Sequence, residues 1–244
     1  MSEKIPFTKV MRKETRGIHN ISDALINAKL GIAMSDNEVW AGGLLVFYEV
    51  FKHLELAMDR LKGTIIEKLD IPGMRRTAAF EKDLRFYLGD SWQSSYTPHP
   101  SVQRYLLHLT ALESDQPVLL LPYIYHLYMG LFAGGQVLKK KRAMVLKLSF
   151  AGPGKGDEGL AVVNLERNIY EVKKEMAEAM NRIAEGWDEE LKKVIVEESK
   201  RVFHMNNQIV QSVKGANRVI ASKVVKGAVV VAVVALIYYY CKRW

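Results

Sequence analysis

The sequence predicts an all-α fold, on three observations. Apolar residues recur with a helical period along nearly the whole chain of 244 residues. Prolines number only 7, and with glycines they fall in short clusters that separate long periodic runs. With 49% hydrophobic and 25% charged residues, the chain is too apolar for disorder and long enough to bury one sizeable core, and it carries no internal repeat.

Taken in order, the period predicts a first helix from about Lys9 to Leu30. Ser35-Asp36-Asn37-Glu38 reads as a capping box that opens a second helix reaching about Lys68. Ile71-Pro72-Gly73 breaks the chain before a helix near Arg75–Leu88, and Pro98-His99-Pro100 breaks it before another near Ser101–Leu112. A long apolar stretch, Leu119 to Leu146, contains Gly130, Gly134 and Gly135, each costing a helix roughly 1 kcal/mol relative to alanine. A compensating role is expected for them. Phe150–Gly159 is a glycine-rich loop, followed by helices at about Leu165–Ala184 and Trp187–Val213.

The formal net charge is +8, but Arg218, Lys223, Lys226, Lys242 and Arg243 supply +5 of it, with no acidic residue after position 217. The basic excess therefore belongs mostly to the tail, and nucleic-acid binding is not expected. Gly227 to Cys241 carries no charge, and Ala228–Ile237 is Ala, Val, Leu and Ile throughout. Those fifteen residues at about 1.5 Å each reach only about 22 Å, short of a hydrocarbon core of about 30 Å. The flanks favour the membrane: Lys223, Lys226, Lys242 and Arg243 can snorkel, and Tyr238, Tyr239, Tyr240 and Trp244 form an interfacial aromatic belt. The division expected is 1–218 as a cytosolic helical domain and 219–244 as a C-terminal transmembrane anchor, a buried or amphipathic terminal helix being the alternative. The amino terminus, MSEKIPFTKV, does not read as a signal peptide. The single cysteine, Cys241, leaves the domain without an internal disulfide or thiolate metal site, as suits a reducing cytosolic face.

Two motif matches carry no function. Gly154-Lys155-Gly156-Asp157-Glu158-Gly159 spells G-x-G-x-x-G, but it lacks a βαβ setting, and Asp157 and Glu158 would repel a pyrophosphate. Asn20-Ile21-Ser22 is a glycosylation sequon within an expected cytosolic helix.

Two constellations point to chemistry. Arg12, Arg16, His19 and Asp23 are spaced by four, three and four residues and share one helical face. Two cations leading to an imidazole suit a ligand that bears anionic groups and a metal with an open axial position; a solvated basic face with a packed histidine is the plainer reading. In Tyr125-His126-Leu127-Tyr128-Met129-Gly130-Leu131-Phe132-Ala133-Gly134-Gly135-Gln136, the residues Gly130, Ala133 and Gly134 present a face nearly free of side chains. Such a face admits either a flat ligand or a closely packed helix.

Together these segments resemble the heme oxygenases of the animal microsomal type. Lys13-Glu14-Thr15-Arg16-Gly17-Ile18-His19 is similar to that family's proximal-histidine helix, and Tyr128 to Lys140 (YMGLFAGGQVLKK) to its distal-helix signature. Arg76 to Leu84 (RTAAFEKDL), Tyr96-Thr97-Pro98 and Val102-Gln103-Arg104-Tyr105 resemble family segments without a role in chemistry. The resemblance covers about Phe7 to Val213, and the tail resembles the family's membrane anchor.

The resemblance implies a heme between the two helices, at once cofactor and substrate, with His19 as the metal ligand and Gly130 and Gly134 against its distal face. It implies propionate contacts at Arg12, Arg16, Tyr125 and Lys173. It further implies conversion of heme to biliverdin, carbon monoxide and ferrous iron, driven by oxygen and NADPH through NADPH-cytochrome P450 reductase, on the endoplasmic reticulum membrane with the domain facing the cytosol. Departures are specific. The family's distal aspartate, which orders water, is Leu131 here; its supporting arginine is Leu127; a tyrosine of the second helix is Phe51; and an arginine beside a propionate aligns with Ala177. His126 stands where the family has no histidine and is a competing iron ligand. A slow heme oxygenase lacking α-isomer specificity is therefore expected, the alternatives being a membrane-anchored heme-binding or heme-sensing protein with little turnover and a helical interaction protein that binds no heme.

Overall fold

In a computed structural model, residues 5–33, 36–148 and 158–242 are described, and they form helices and connecting turns with no strand among them. The helices are α1 (Phe7–Glu14), α2 (Arg16–Ala33), α3 (Asn37–Arg60), α4 (Thr77–Leu88), α5 (Trp92–Ser95), α6 (Pro100–Asp115), α7 (Leu121–Leu148), α8 (Ile169–Glu185), α9 (Glu189–Ser212) and α10 (Ala216–Cys241). Helix α3 packs on α4 and α6, α9 packs on α2 and α7, and α8 closes the bundle against α1 and α7.

The boundaries differ from expectation where local hydrogen bonding overrides periodicity. The predicted first helix is two, parted at Thr15, whose hydroxyl donates to the Met11 carbonyl at 2.8 Å. The second helix stops at Arg60 rather than Lys68, because Thr64 caps a separate 3₁₀ turn, Ile65–Leu69, by accepting from the Ile66 amide. Helix α3 is capped by Asp36, whose Oδ1 accepts from the Glu38 and Val39 amides at 3.0 and 3.1 Å; Ser35 lies outside the described residues. Helix α8 starts four residues later than expected, at the Asn168 cap, and Asp188 caps α9. The sequence reading also lacked α5. Most of the glycine-rich loop, 149–157, lies outside the described residues.

Helix α7 runs unbroken through all three glycines. By length and composition the stretch Pro117–Met144 could cross a bilayer, yet 61% of it is buried within the fold, and it serves as the central core helix. Its first half is fixed by polar ties. The Tyr123 hydroxyl donates to Glu198 at 2.5 Å on α9, and the Tyr128 hydroxyl donates to Glu55 at 2.7 Å on α3. Glu55 also accepts from the Arg76 and Thr77 amides, capping α4 from across the core. The segment after the loop is held by Asp83, which accepts from Ala161 at 2.8 Å and Val162 at 2.9 Å. Its carbonyl at Val163 in turn accepts from Gln136 of α7 at 2.9 Å.

Helix α10 is continuous across the expected boundary at 218/219. Val219 is buried against the domain, and Arg218 pairs with Asp36 and Glu38 at 3.2 and 2.7 Å.

Candidate heme site

The three glycines of α7 do not share one environment. A Cβ built on Gly130 or Gly134 meets nothing within 4 Å, whereas one on Gly135 lies 3.0 Å from Val163 Cγ1. Gly135 is thus the close-packing glycine, while Gly130, Ala133 and Gly134 line an exposed, bare strip of backbone. No other described part of the fold packs on Gly130 or Gly134, which leaves that strip open to a flat ligand.

On α2, His19 Nδ1 lies 3.1 Å from Asp23 Oδ2, with both side chains about half exposed at 50% and 58%. A carboxylate on Nδ1–H fixes the tautomer that leaves the Nε2 lone pair free for a metal. The other face of the His19 ring packs against Phe203 of α9, centroid to centroid 5.4 Å, and His126 of α7 packs against the same phenyl at 5.0 Å. Phe203 therefore joins the two helices that carry the predicted site. Sequence reasoning missed it, since a buried phenylalanine on an amphipathic helix has no signature of its own.

His126 Nε2 is buried and has no hydrogen-bond partner. Burial, with a smaller electrostatic contribution from nearby His19, pushes its pKa down to about 3, so the His126 ring is neutral.

Tyr125 lies within electrostatic reach of Arg12. The Tyr125 hydroxyl is raised above its ordinary pKa by burial, against the opposing effects of a hydrogen bond with Thr8 and the charge of Arg12. Thr8 is itself tied to α8 through its amide, which donates to Asn181 Oδ1 at 3.0 Å. Arg12 and Arg16 are exposed; Lys173 and Ala177 are half-buried, one turn apart on α8. No contact of Lys173 or Arg16 ties either to the other site residues.

The predicted substitutions lie in a dry wall. Phe51 is 1% exposed and stacks on Tyr128 and Phe80 at 4.9 and 5.2 Å; Leu127 is 5% exposed. Half-buried Leu131 sits on the Gly135 flank of α7, its Cδ1 3.6 Å from a Cβ built there.

These residues fit a flat, anionic, metal-bearing ligand. There is a bare backbone strip, a free imidazole lone pair, exposed cations and an unpartnered buried nitrogen.

Comparison with known proteins agrees. Heme oxygenase 1 of Gallus gallus is 28% identical over 217 residues, 87% of this chain and 64% of that protein. A heme oxygenase of Rhodella violacea is 27% identical over 206 residues, 82% of this chain and 84% of its own length. This chain thus spans less than two thirds of the chicken protein. Among solved structures, heme oxygenase 2 of Chlamydomonas reinhardtii without heme superposes with a TM-score of 0.77 at 28% identity, covering 85% of this chain and 97% of that one. Heme oxygenase-1 of Synechocystis sp. PCC6803 in complex with heme gives 0.80 at 22% identity, covering 92% and 100%, which speaks to the fold alone. With the heme oxygenase family model matching residues 5–212, the chain belongs to the heme oxygenase family.

Proposed function

We propose that this chain is a heme oxygenase that takes heme as both cofactor and substrate and opens it to biliverdin, carbon monoxide and ferrous iron, using oxygen and electrons passed from NADPH by NADPH-cytochrome P450 reductase. The observation that carries the reading is the open Gly130–Gly134 strip on α7, one turn beyond His126, which shares Phe203 with His19.

Bound heme would supply the iron and the oxidisable ring. His19 would hold the iron through Nε2, with Asp23 retaining the proton on Nδ1. Arg12, Arg16, Lys173 and Tyr125 would hold the propionates, and charge-assisted contacts of this kind contribute about 1.5–3 kcal/mol each. Gly130 and Gly134 would let the ring approach the backbone. Leu127, Phe51 and Leu131 exclude water and offer no group to order it, which removes about 1.5–3 kcal/mol of charged hydrogen bonding and slows the reaction by roughly ten- to a hundredfold. With Ala177 uncharged, fewer cations would hold the propionates, and this chain would fix the rotation of the ring less strictly, which would give mixed biliverdin isomers.

Supplying the hemin complex with oxygen, NADPH and reductase tests this directly. Biliverdin with carbon monoxide is expected, in more than one isomer by chromatography, and their absence would refute the proposal. The same dry wall favours one other reading, a heme-binding or heme-sensing protein with little turnover, and that assay separates the two.

We further propose that α10 anchors the domain in a membrane, at the endoplasmic reticulum with the domain facing the cytosol. Its uncharged stretch 227–241 reaches about 22 Å and is extended at both ends by snorkelling cations and interfacial tyrosines, and Val229, Val231, Val233 and Val234 are 48–68% exposed. Flotation with liposomes, lost when 219–244 is removed, checks it.

A further inference from the structure

On the glycine-bearing side of α7 stands a polar group without a partner, the Nε2 of His126. His126 is four residues before Gly130, so the two project to the same side of α7. Its Nε2 is buried with no partner, and a buried, unmade hydrogen bond costs a fold about 1–3 kcal/mol.

The second observation is its position relative to His19. Both imidazoles pack edge-to-face on Phe203, at 5.4 and 5.0 Å between centroids and interplanar angles of 62° and 61°. The two rings are therefore within about 10 Å of each other, on different helices. Metal–imidazole bonds of about 2 Å would place two opposed Nε2 atoms about 4 Å apart. Bringing both nitrogens onto one iron requires the Phe203 ring, which both imidazoles touch, to swing aside as the ligand enters.

We propose that His126 is a second axial ligand, its Nε2 coordinating the iron from α7 opposite His19 on α2, so that the resting complex is six-coordinate. This rests on the heme-binding reading above and extends it. Two neutral imidazoles give a strong, symmetric ligand field, and the complex is low-spin. An external ligand must then wait for His126 to leave, which makes α7 a gate on the reaction as well as a wall of the site. Leu131, Leu127 and Phe51 fit this role, because none of them carries a polar atom that could compete with His126.

The test uses the full chain reconstituted with hemin. Electron paramagnetic resonance and absorption spectra of the ferric protein are expected to show a bis-imidazole low-spin complex at neutral pH. His126→Ala is expected to lose that signal and become high-spin at the same hemin stoichiometry, and added imidazole should restore it. In the ferrous state, carbon monoxide binding should saturate with concentration in the wild type and become linear, about tenfold faster or more, in His126→Ala. A high-spin wild-type spectrum, or a low-spin one that survives His126→Ala, would overturn the proposal. If His126→Ala fails to fold by circular dichroism, the wild-type resonance and the carbon monoxide kinetics still decide it. A missing Soret shift on hemin addition would overturn the heme-binding reading itself, a different failure.

Discussion

Adding one methyl group at Gly130 or Gly134 should move stability and ligand affinity in opposite directions. Glycine inside a helix is less favourable than alanine by roughly 0.5–1 kcal/mol, and a Cβ at either position meets nothing within 4 Å. Gly130→Ala and Gly134→Ala should therefore each raise the melting temperature of the apoprotein, by about 2–4 °C per kcal/mol in a domain of this size. The same methyl stands where a flat ring must touch backbone, and overpacking costs about 1–3 kcal/mol, so hemin affinity should fall about 5- to 150-fold. Gly135→Ala makes the internal control. Its Cβ would press on Val163 Cγ1 at 3.0 Å, and Val163 is held from retreating by Gln136 and, next to it, by the Asp83 clamp on Ala161 and Val162. That variant should melt lower. Differential scanning calorimetry and hemin titration on the three proteins read both quantities. If Gly130→Ala and Gly134→Ala melt lower, as a helix–helix contact demands, or bind hemin as tightly as the wild type, the assignment of the strip to a ligand is wrong.

His19→Ala should weaken hemin binding and alter the ferric absorption spectrum; an unaltered spectrum would remove His19 from the iron. Leu131→Asp alone should leave turnover where it is or lower it, since buried Leu127 and Phe51 offer the carboxylate no partner and its pKa would rise; a tenfold gain in biliverdin formation would show that the network does not need all three members. Glu55→Gln should cost about 2–3 kcal/mol in urea unfolding, because Tyr128 and the α4 amides lose a charged acceptor. Burial pushes the His53 pKa below its ordinary value, Arg60 acting in the same direction and Glu113 at 3.8 Å opposing it. The unfolded chain then takes up the proton first, so this contribution to stability is complete above about pH 6.5 and declines as pH falls through the lowered folded value. His53→Leu should flatten the decline in a pH series of thermal melts.

The helices were legible because their ends carry local chemistry. Asp36 accepts amide hydrogens at the start of α3, and a short polar residue before an apolar run reveals such a cap without tertiary information, whereas Asn168 and Asp188, which cap α8 and α9 in the same way, lie past the starts that periodicity alone predicts. The misreadings came where a side chain turns back on its own backbone, as at Thr15 and Thr64, an interaction periodicity does not register. At the site, spacing could show that Gly130, Ala133 and Gly134 share a face but not what lies over it, since a helix and a porphyrin both ask for small residues. Only the position of Val163 separates Gly135 from the other two. Phe203 and its contact with two histidines required three helices to be placed, and no single segment contains that information. Buried Arg142, packed against Trp40 and Tyr87 at 5.5 and 5.1 Å, was hidden for the reverse reason, because it ends a lysine run that reads as a solvated face.

The polar and dry halves of α7 meet within a single turn, and that placement ties stability to reactivity. Tyr128 spends its hydroxyl on Glu55, which already holds the start of α4, so the buried acid nearest the wall is committed to the scaffold. Phe51 packs edge-on against the Tyr128 ring at 4.9 Å, so an apolar side chain lies beside that tie. A half-polar wall would be worse than a dry one, because each unmatched group would bear its full desolvation cost. Replacing Leu131, Leu127 and Phe51 is thus a coupled problem in which single changes are penalised. The imidazole of His126, which can serve as donor, acceptor or metal ligand while neutral, is the one group on that side whose chemistry does not require the network to be rebuilt.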